Sequence, residues 1–167
     1  GCTVAQNEVY NVIADLAATA GYEGAPRTIL QGHMDMVCVA DEGVVYDPRR
    51  DPIRLVRTAE YLSADGTSLG ADDGAGVAEI LYLFQYAPEP HGPLRAILTV
   101  DEEDGMTGVR HLDAKYLTDA AFFLNCDSEE DDLLTVGSAG GLDMDFSRPL
   151  HWRSAEDGTA WQLMVGG

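Results

Sequence analysis

The sequence predicts an α/β fold in which a mostly parallel or mixed sheet carries flanking helices. Strand-like apolar runs alternate along the chain with runs whose apolar residues recur at helical spacing. Apolar residues make up 46% of the 167 residues, which is enough for one hydrophobic core of ordinary size. Three apolar strands run directly into acidic residues or histidine, and ligands of open α/β sheets bind at the carboxyl ends of strands. The chain is therefore expected to hold a polar site at one edge of its sheet.

The first part of the chain predicts two strands and a loop. The strands are "NVIADLA" (11–17) and "TILQGHMDMV" (28–37). A segment with glycine and proline separates them, so they are expected to pair as a hairpin. Residues 41–60 are polar and contain Pro48 and Pro52, which predicts a long loop ending near a short strand.

The middle of the chain predicts a helix and a buried strand. The glycine-rich turn "LGADDGAG" leads into residues 76–87, whose apolar positions recur at helical spacing. Pro88 and Pro90 are expected to end this helix. The stretch "LRAILTVDEEDG" (94–105) predicts a buried strand that runs into an acidic turn.

The last part predicts one helix and three strands. Residues 107–117 are typical of a helix, and "AAFFLNCDSEEDD" predicts another buried strand that ends in an acidic loop. The stretch "LLTVGSAGGLDMDFS" (133–147) predicts a further strand pair. Strands followed by helices in this order favour a sheet with parallel pairs.

Charge and cysteine content limit the classes of function. Twenty-nine acidic against ten basic residues give a net charge of −19, so nucleic acid and anionic membrane surfaces are not expected as partners. No apolar run is long enough to span a membrane. Three widely spaced cysteines predict no disulfide framework or zinc finger. Since "GCTVAQNEVYN" lacks the features of a signal peptide, a cytoplasmic location is expected.

The pair His33 and Asp35 interrupts an otherwise apolar strand. Side chains two positions apart in a strand point to the same face. A buried imidazole and carboxylate must bond to each other, bind a ligand or cost the fold free energy. A hydrogen-bonded core histidine is the alternative reading of this stretch alone.

Carboxylates collect at the other predicted strand ends and at the glycine-rich turn. They are Glu102 and Glu103, Asp127, and Asp72. Singly, each has an ordinary reading as a solvated turn, a loop tip or a helix cap. Jointly, carboxylates in one crevice raise one another's pKa, and a cation relieves that repulsion. One histidine with several carboxylates suits zinc, manganese or cobalt, and two such metals with one spare carboxylate as base suit hydrolysis.

Four stretches in order carry a specific resemblance: "LQGHMDMV", "ADGTSLGADDGAG", "HGPLRAILTVDEEDGMTG" and "LNCDSEEDDLLTVGSAGG". With them the chain resembles the zinc-dependent dipeptidase family that includes aminoacyl-histidine dipeptidases and carnosinases. The likeness is strongest to the bacterial aminoacyl-histidine (Xaa-His) branch, and it runs from about Asn7 to Gly167. It implies a metallopeptidase that cleaves dipeptides.

The resemblance implies two divalent metals, zinc first and manganese or cobalt as alternatives. His33 and Asp127 would bind one metal, Glu103 would bind the other, and Asp72 would bridge both. Glu102 would be the general base, and Asp35 would orient His33. The family also carries a cis peptide after the bridging aspartate, here between Asp72 and Asp73.

The resemblance further implies a partial catalytic domain over residues 1–150 and the start of a lid or dimerisation domain at 151–167. A final histidine ligand and a homodimer are expected of the full-length protein. None of His91, His111 and His151 is expected to replace that histidine. A non-catalytic metal-binding or interaction module derived from such a peptidase is the alternative. An acidic calcium-binding protein is disfavoured, because the oxygen ligands lack the loop spacing.

Overall fold

The computed structural model describes residues 2–128, 132–138, 140–141, 144–149, 151, 158 and 161. Residues 1–132 form one compact unit and residues 133–167 form another. The strands of the first unit are β1 (Cys2–Gln6), β2 (Val12–Leu16), β3 (Arg27–His33), β4 (Leu55–Arg57), β5 (Leu62–Ala64), β6 (Leu94–Thr99) and β7 (Ala120–Asn125). The helices are α1 (Ala71–Tyr86), α2 (Thr107–Arg110) and a 3-10 turn (Ala114–Tyr116).

Five strands form one mixed sheet in the order β1-β2-β6-β3-β7. The pairs β3–β6 and β3–β7 are parallel, whereas β1–β2 and β2–β6 are antiparallel. Strands β4 and β5 form a separate antiparallel pair. The predicted α/β class with a mixed sheet is confirmed. Within the described residues, no helix is long and apolar enough to cross a membrane.

The predicted hairpin between 11–17 and 28–37 is wrong. Strand β6 lies between β2 and β3, and β2 pairs instead with β1. Strand β1 is not among the predicted elements, because its five residues are all exposed and carry no core signal. The β1–β2 turn depends on Asn7, whose side-chain oxygen accepts the backbone N–H groups of Val9 and Asn11.

The predicted helices differ from the observed ones at their boundaries. Helix α1 begins at Ala71 rather than at residue 76, although Asp72 and Asp73 have non-helical backbone angles. The predicted helix over 107–117 is broken, because α2 ends at Arg110 and a 3-10 turn follows. Asp113 starts that turn by accepting the N–H of Lys115, which explains the break.

The strand pair predicted over 133–147 is wrong for the residues of that stretch that the structure describes, which contain no strand. Gly137, Gly140 and Gly141 lie there, and glycine weakens strands because it has no side chain to pack. Most of the predicted lid segment, 151–167, lies outside the described residues. The domain boundary at residue 150 therefore stays a prediction.

The core lies between α1 and the sheet. Leu30, Ala96 and Leu98 pack with the fully buried Ile80 of α1. Alternate residues of the same strands point to the opposite face, where Ile29 is buried as well. This packing fixes the carboxyl ends of β3 and β6 beside the start of α1, and the candidate site lies there.

Candidate metal centre

His33 is the last residue of β3 and is almost completely buried, with 1% of its surface exposed. Its Nδ1 lies 3.0 Å from the carbonyl oxygen of Asp35, and its Nε2 lies 2.8 Å from Oδ1 of Asp72. Burial lowers the pKa of His33, but the hydrogen bond to Asp72 and the charges of Asp127 and Asp35 outweigh burial, and the net pKa is raised. The pocket therefore favours positive charge at this imidazole.

The turn before α1 supplies two aspartates with different surroundings. The peptide between Asp72 and Asp73 is cis, as the resemblance implied. Asp72 is half exposed, whereas Asp73 is buried and accepts the N–H of His33 at 3.0 Å and the N–H of Gly76 at 3.2 Å. Asp73 thus ties the end of β3 to the start of α1.

Asp73 is not among the predicted site residues and was expected only to share the cis bond. The sequence does contain a signal for its role, because a glycine stands at both positions that contact its carboxylate, Gly32 and Gly76. A Cβ at Gly32 would overlap the Asp73 carboxylate, and so would a Cβ at Gly76. Burial raises the pKa of Asp73, and the N–H of His33 opposes that effect without cancelling it. The buried carboxylate fits only because both neighbours lack side chains.

The acidic turn after β6 brings Glu102 and Glu103 to the same edge of the sheet. Asp35 accepts the backbone N–H of Glu102 through Oδ1 and that of Glu103 through Oδ2, each at 3.1 Å. Burial raises the pKa of Asp35, but these two N–H groups outweigh burial and lower the net pKa. Asp35 is therefore held as a carboxylate between His33 and the turn.

The carboxylate of Asp35 lies farther from His33 than its carbonyl oxygen does. The distance from Nδ1 to Oδ1 is 3.4 Å, against 3.0 Å to the carbonyl. Backbone and side chain of Asp35 thus share the contact with the imidazole. That Asp35 orients His33 stays a prediction, and either its carbonyl oxygen or its carboxylate is close enough to do so.

Asp127 follows β7, and its Oδ2 lies 3.9 Å from Nε2 of His33. Burial, together with the nearby charges of Asp72 and Asp73, raises the pKa of Asp127 to about 6. Its backbone N–H donates to Asn125, whose amide donates to Gln31 on β3. The loop that carries Asp127 is therefore anchored to the neighbouring strand β3.

The structure brings the predicted ligands together. One ligand atom each from His33, Asp72 and Glu103 lies within 4.8 Å of the other two. Asp127 approaches the same imidazole, and Glu102 lines a cavity of about 180 Å³ together with Asp127. Asp72, Glu103 and Asp127 therefore lie around one buried imidazole, and Glu102 lies near Asp127 at the same edge of the sheet.

The other histidines have different surroundings. Nδ1 of His91 lies 2.8 Å from the carbonyl oxygen of Gly92. Nδ1 of His111 lies 2.9 Å from that of Thr107, and His111 is exposed. His151 is exposed as well. In the described part of the chain, none of the three belongs to a group of side chains that could hold a metal.

The charge balance of the site favours a cation. In the described residues, no arginine or lysine forms an ion pair with Asp35, Asp72 or Asp127, whose only cationic partner is His33. Two acceptor atoms 2.8 Å apart, Nε2 of His33 and Oδ1 of Asp72, require a proton or a metal between them. Imidazole and carboxylates are ordinary ligands of zinc. The residues present fit a divalent metal.

Comparisons with known proteins agree with this geometry. The model of peptidase family M20/M25/M40 matches residues 29–160. The cytosol non-specific dipeptidase of Escherichia coli K12 is 39% identical over 151 residues, which cover 90% of this chain and 30% of that protein. The chain thus spans less than a third of the length of this curated relative.

Two solved structures share the fold. The aminoacylhistidine dipeptidase of Vibrio alginolyticus matches with a TM-score of 0.72 and 38% identity, over 78% of this chain and 26% of that one. A tripeptidase of Staphylococcus aureus matches with a TM-score of 0.63 and 28% identity, over 78% and 35% of the two chains. These proteins are peptidases by name.

Proposed function

Because this chain belongs to peptidase family M20/M25/M40, we propose that its metal centre takes part in the hydrolysis of small peptides. The observation that carries the proposal is the contact of 2.8 Å between the buried Nε2 of His33 and Asp72, with Glu103 within ligand range of both. No structural requirement of the sheet explains why a buried imidazole faces so many carboxylates. A divalent metal does explain it.

We assign the metal ligands as the resemblance implies. His33 and Asp127 would hold one ion, Glu103 would hold a second, and Asp72 would contribute its carboxylate to both. Zinc is the first candidate, with manganese and cobalt as alternatives. Nε2 of His33 lies 2.8 Å from Oδ1 of Asp72 and 3.9 Å from Oδ2 of Asp127, so these donor atoms are close enough to bind one ion together.

Metals bound here would act as Lewis acids on the scissile carbonyl and would lower the pKa of the attacking water. Glu102 takes the proton of that water and passes it to the leaving amine. Its backbone N–H donates to Asp35 at 3.1 Å, and Asp35 contacts His33. The base and the first ligand are therefore positioned by one residue.

The substrate we propose is a dipeptide of the Xaa-His type. The Vibrio relative is named for aminoacylhistidine substrates, whereas the E. coli relative is named non-specific, so the two names differ in breadth. A cytoplasmic location is part of the proposal, supported by the word "cytosol" in the name of the E. coli relative. A homodimer of the full-length protein rests on the resemblance alone.

Elemental analysis and peptide hydrolysis test the proposal in one preparation. The chain is loaded with Zn²⁺, dialysed, and assayed for metal per chain and for cleavage of alanyl-histidine and alanyl-alanine. We expect bound metal in this chain and, in the full-length protein assayed beside it, faster cleavage of alanyl-histidine than of alanyl-alanine. Glu102→Gln should keep the metal and lose about 10²- to 10⁴-fold in rate, which is the usual contribution of a general base.

Metal binding by this chain without cleavage would support a catalytic fragment whose second metal needs the final histidine of the full-length protein. Metal binding without cleavage by the full-length protein would favour the metal-binding module instead of the enzyme. Equal rates for both peptides would contradict the Xaa-His preference alone. If no transition metal binds and His33→Ala behaves like the wild type, the assignment of the site is wrong.

A further inference from the structure

The acidic turn that carries Glu102 and Glu103 is closed at its base by backbone contacts. The N–H of Gly108 donates to the carbonyl of Val100 at 3.0 Å, and the N–H of Thr107 donates to the carbonyl of Asp101 at 3.1 Å. The turn is therefore a loop whose two ends meet just after β6. Its shape depends on how firmly those ends are held.

The turn contains two strained residues, one near each end. Asp101 and Met106 both have φ near +58°, a left-handed conformation that non-glycine residues seldom adopt. Such residues persist only where the surrounding structure imposes their conformation. Some contact outside the turn must therefore hold its ends together.

Asn11 supplies that contact. It lies just before β2, it is completely buried, and its side chain reaches both ends of the loop. Its Nδ2 donates to the carbonyl of Gly108 at 2.8 Å, and its Oδ1 accepts the N–H of Val100 at 3.2 Å. Both hydrogen-bonding ends of the amide are thus used on the base of the turn.

Gly108 shows how closely the two parts approach. A Cβ at this position would lie 2.6 Å from Oδ1 of Asn11 and 2.7 Å from the nitrogen of Val100. Such a Cβ would also overlap the carbonyl oxygen of Val100, so glycine is required here by the backbone of Val100 as well as by the amide of Asn11. Asp35 accepts the backbone N–H groups of Glu102 and Glu103 themselves, so the turn is held both at its base and at the two glutamates.

We propose that Asn11 is a positioning residue that holds Glu102 and Glu103 over the metal centre by joining Val100 to Gly108. Asn11 precedes the segment that the family model matches, residues 29–160. The proposal rests on the function proposed above, because it assigns a purpose to the fixed turn. Its structural part, the control of the turn by Asn11, is testable without metal.

The first measurement is amide hydrogen exchange of the metal-free chain, with the peptide covering residues 100–108 as readout. Asn11→Ala removes the two hydrogen bonds that join Asn11 to Val100 and Gly108. Gly108→Ala keeps Asn11 but places a methyl group against its amide and against the backbone of Val100. We expect both variants to speed exchange at Glu102 and Glu103 at least tenfold. The matched control is Ile13→Ala, which removes a buried side chain from the adjacent strand without touching the turn.

The second measurement is the affinity for Zn²⁺, measured by competition with a chromogenic chelator. Partners that orient a ligand typically contribute 10- to 100-fold in metal affinity, and we expect a loss in this range for Asn11→Ala. Glu103→Gln should lose a similar amount. The double variant should lose no more than either single variant, because Asn11 acts through Glu103.

Each outcome decides a different point. If Asn11→Ala and Ile13→Ala exchange alike in the turn, or if the losses from Asn11→Ala and Glu103→Gln add fully, the proposal is wrong while the metal centre stands. If the wild type binds no Zn²⁺, the proposed function fails, and the exchange measurement alone decides whether Asn11 holds the turn.

Discussion

The two ends of the central sheet carry opposite charge arrangements. At the amino ends of β3 and β6, Arg27 and Arg95 face Asp15 and Asp119. Arg27 lies 2.6 Å from Asp15, and Arg95 lies 2.8 Å from Asp15 and 2.7 Å from Asp119. Arg95, which is buried, also donates to the carbonyl of Tyr116 at 2.7 Å. Two cations thus balance two anions.

At the carboxyl ends of the same strands, one imidazole faces several carboxylates. His33 contacts Asp72 and Asp127, and Asp73 and Glu103 lie beside them. Like charges in this crowd raise the pKa of Asp127 to about 6, after the larger effect of burial. By contrast, burial opposes ionisation of Asp119, but the hydrogen bond and charge of Arg95 outweigh it and lower the pKa.

The difference separates structural charge from functional charge. The amino end is complete within the chain and stabilises the fold by itself. The carboxyl end keeps more carboxylates than His33, their one cationic partner among the described residues, can neutralise, which costs folding free energy until a metal binds. Perturbed groups that crowd one imidazole are typical of functional sites.

The largest effect is expected from His33→Ala, which removes the one nitrogen ligand that the described residues offer to the site. We expect the affinity for Zn²⁺ to fall at least about 100-fold, because loss of a direct ligand should exceed the 10- to 100-fold loss caused by changing an outer partner. His111→Ala is the matched control, since His111 is exposed and its imidazole contacts the carbonyl oxygen of Thr107 rather than a proposed metal ligand. Equal affinities for the two variants would contradict the distinction between the two ends.

The next effect is at the amino end. Arg95→Met should lower the free energy of unfolding by about 2–3 kcal/mol, less than for a fully buried pair because Asp15 and Asp119 stay partly exposed. Arg27→Met, with a more exposed guanidinium, should cost less than about 1 kcal/mol. Urea unfolding measures both. The affinity for Zn²⁺ should stay at the wild-type value, and a loss there would show that the ends are coupled.

A third substitution, Asp127→Asn, should raise the free energy of unfolding rather than lower it. Asp127→Asn removes a crowded charge, so the metal-free chain should gain roughly 1–3 kcal/mol at pH 8, as a rise in pKa from 3.8 to about 6 implies. Because the folded pKa is raised, the destabilisation is absent below the unfolded value of 3.8, grows as pH rises from there to about 6, and is complete above about 6. Urea unfolding at pH 8 and pH 4 tests this. With saturating Zn²⁺ the wild type should become the more stable of the two proteins. If Asp127→Asn is still more stable than the wild type with metal bound, the ligand assignment is contradicted.

The smallest expected effect is the loss, at acidic pH, of the stability that the ion pairs of Asp119 contribute. The folded pKa of Asp119 lies below its ordinary value of 3.8, so its ion pairs stabilise the fold above that pH and are lost as pH falls through the folded pKa. The difference in unfolding free energy between the wild type and Asp119→Asn should therefore be largest above pH 5 and vanish at low pH. A difference that is constant with pH would mean that packing of Asp119, rather than its charge, stabilises the amino end.

Local patterns were enough to predict several elements. The apolar run of β6, the helical spacing of α1 and the acid or histidine after each parallel strand are visible in adjacent residues. The false hairpin arose because a turn between two strands does not reveal that β6 inserts between them. The broken helix after Thr107 arose because Asp113 captures the N–H of Lys115, which a periodicity argument does not weigh.

The sequence by itself determined which chemistry gathers at the strand ends, since the histidine and acidic residues that follow the apolar strands are visible in adjacent residues. Only the tertiary structure decided how that chemistry is held. The amide of Asn11 binds Gly108 from 97 positions away, and the carboxylate of Asp73 binds the N–H of His33 from 40 positions away. Such bonds depend on strand order and on glycines that permit close approach, and neither is encoded in the local pattern around the residues that they join.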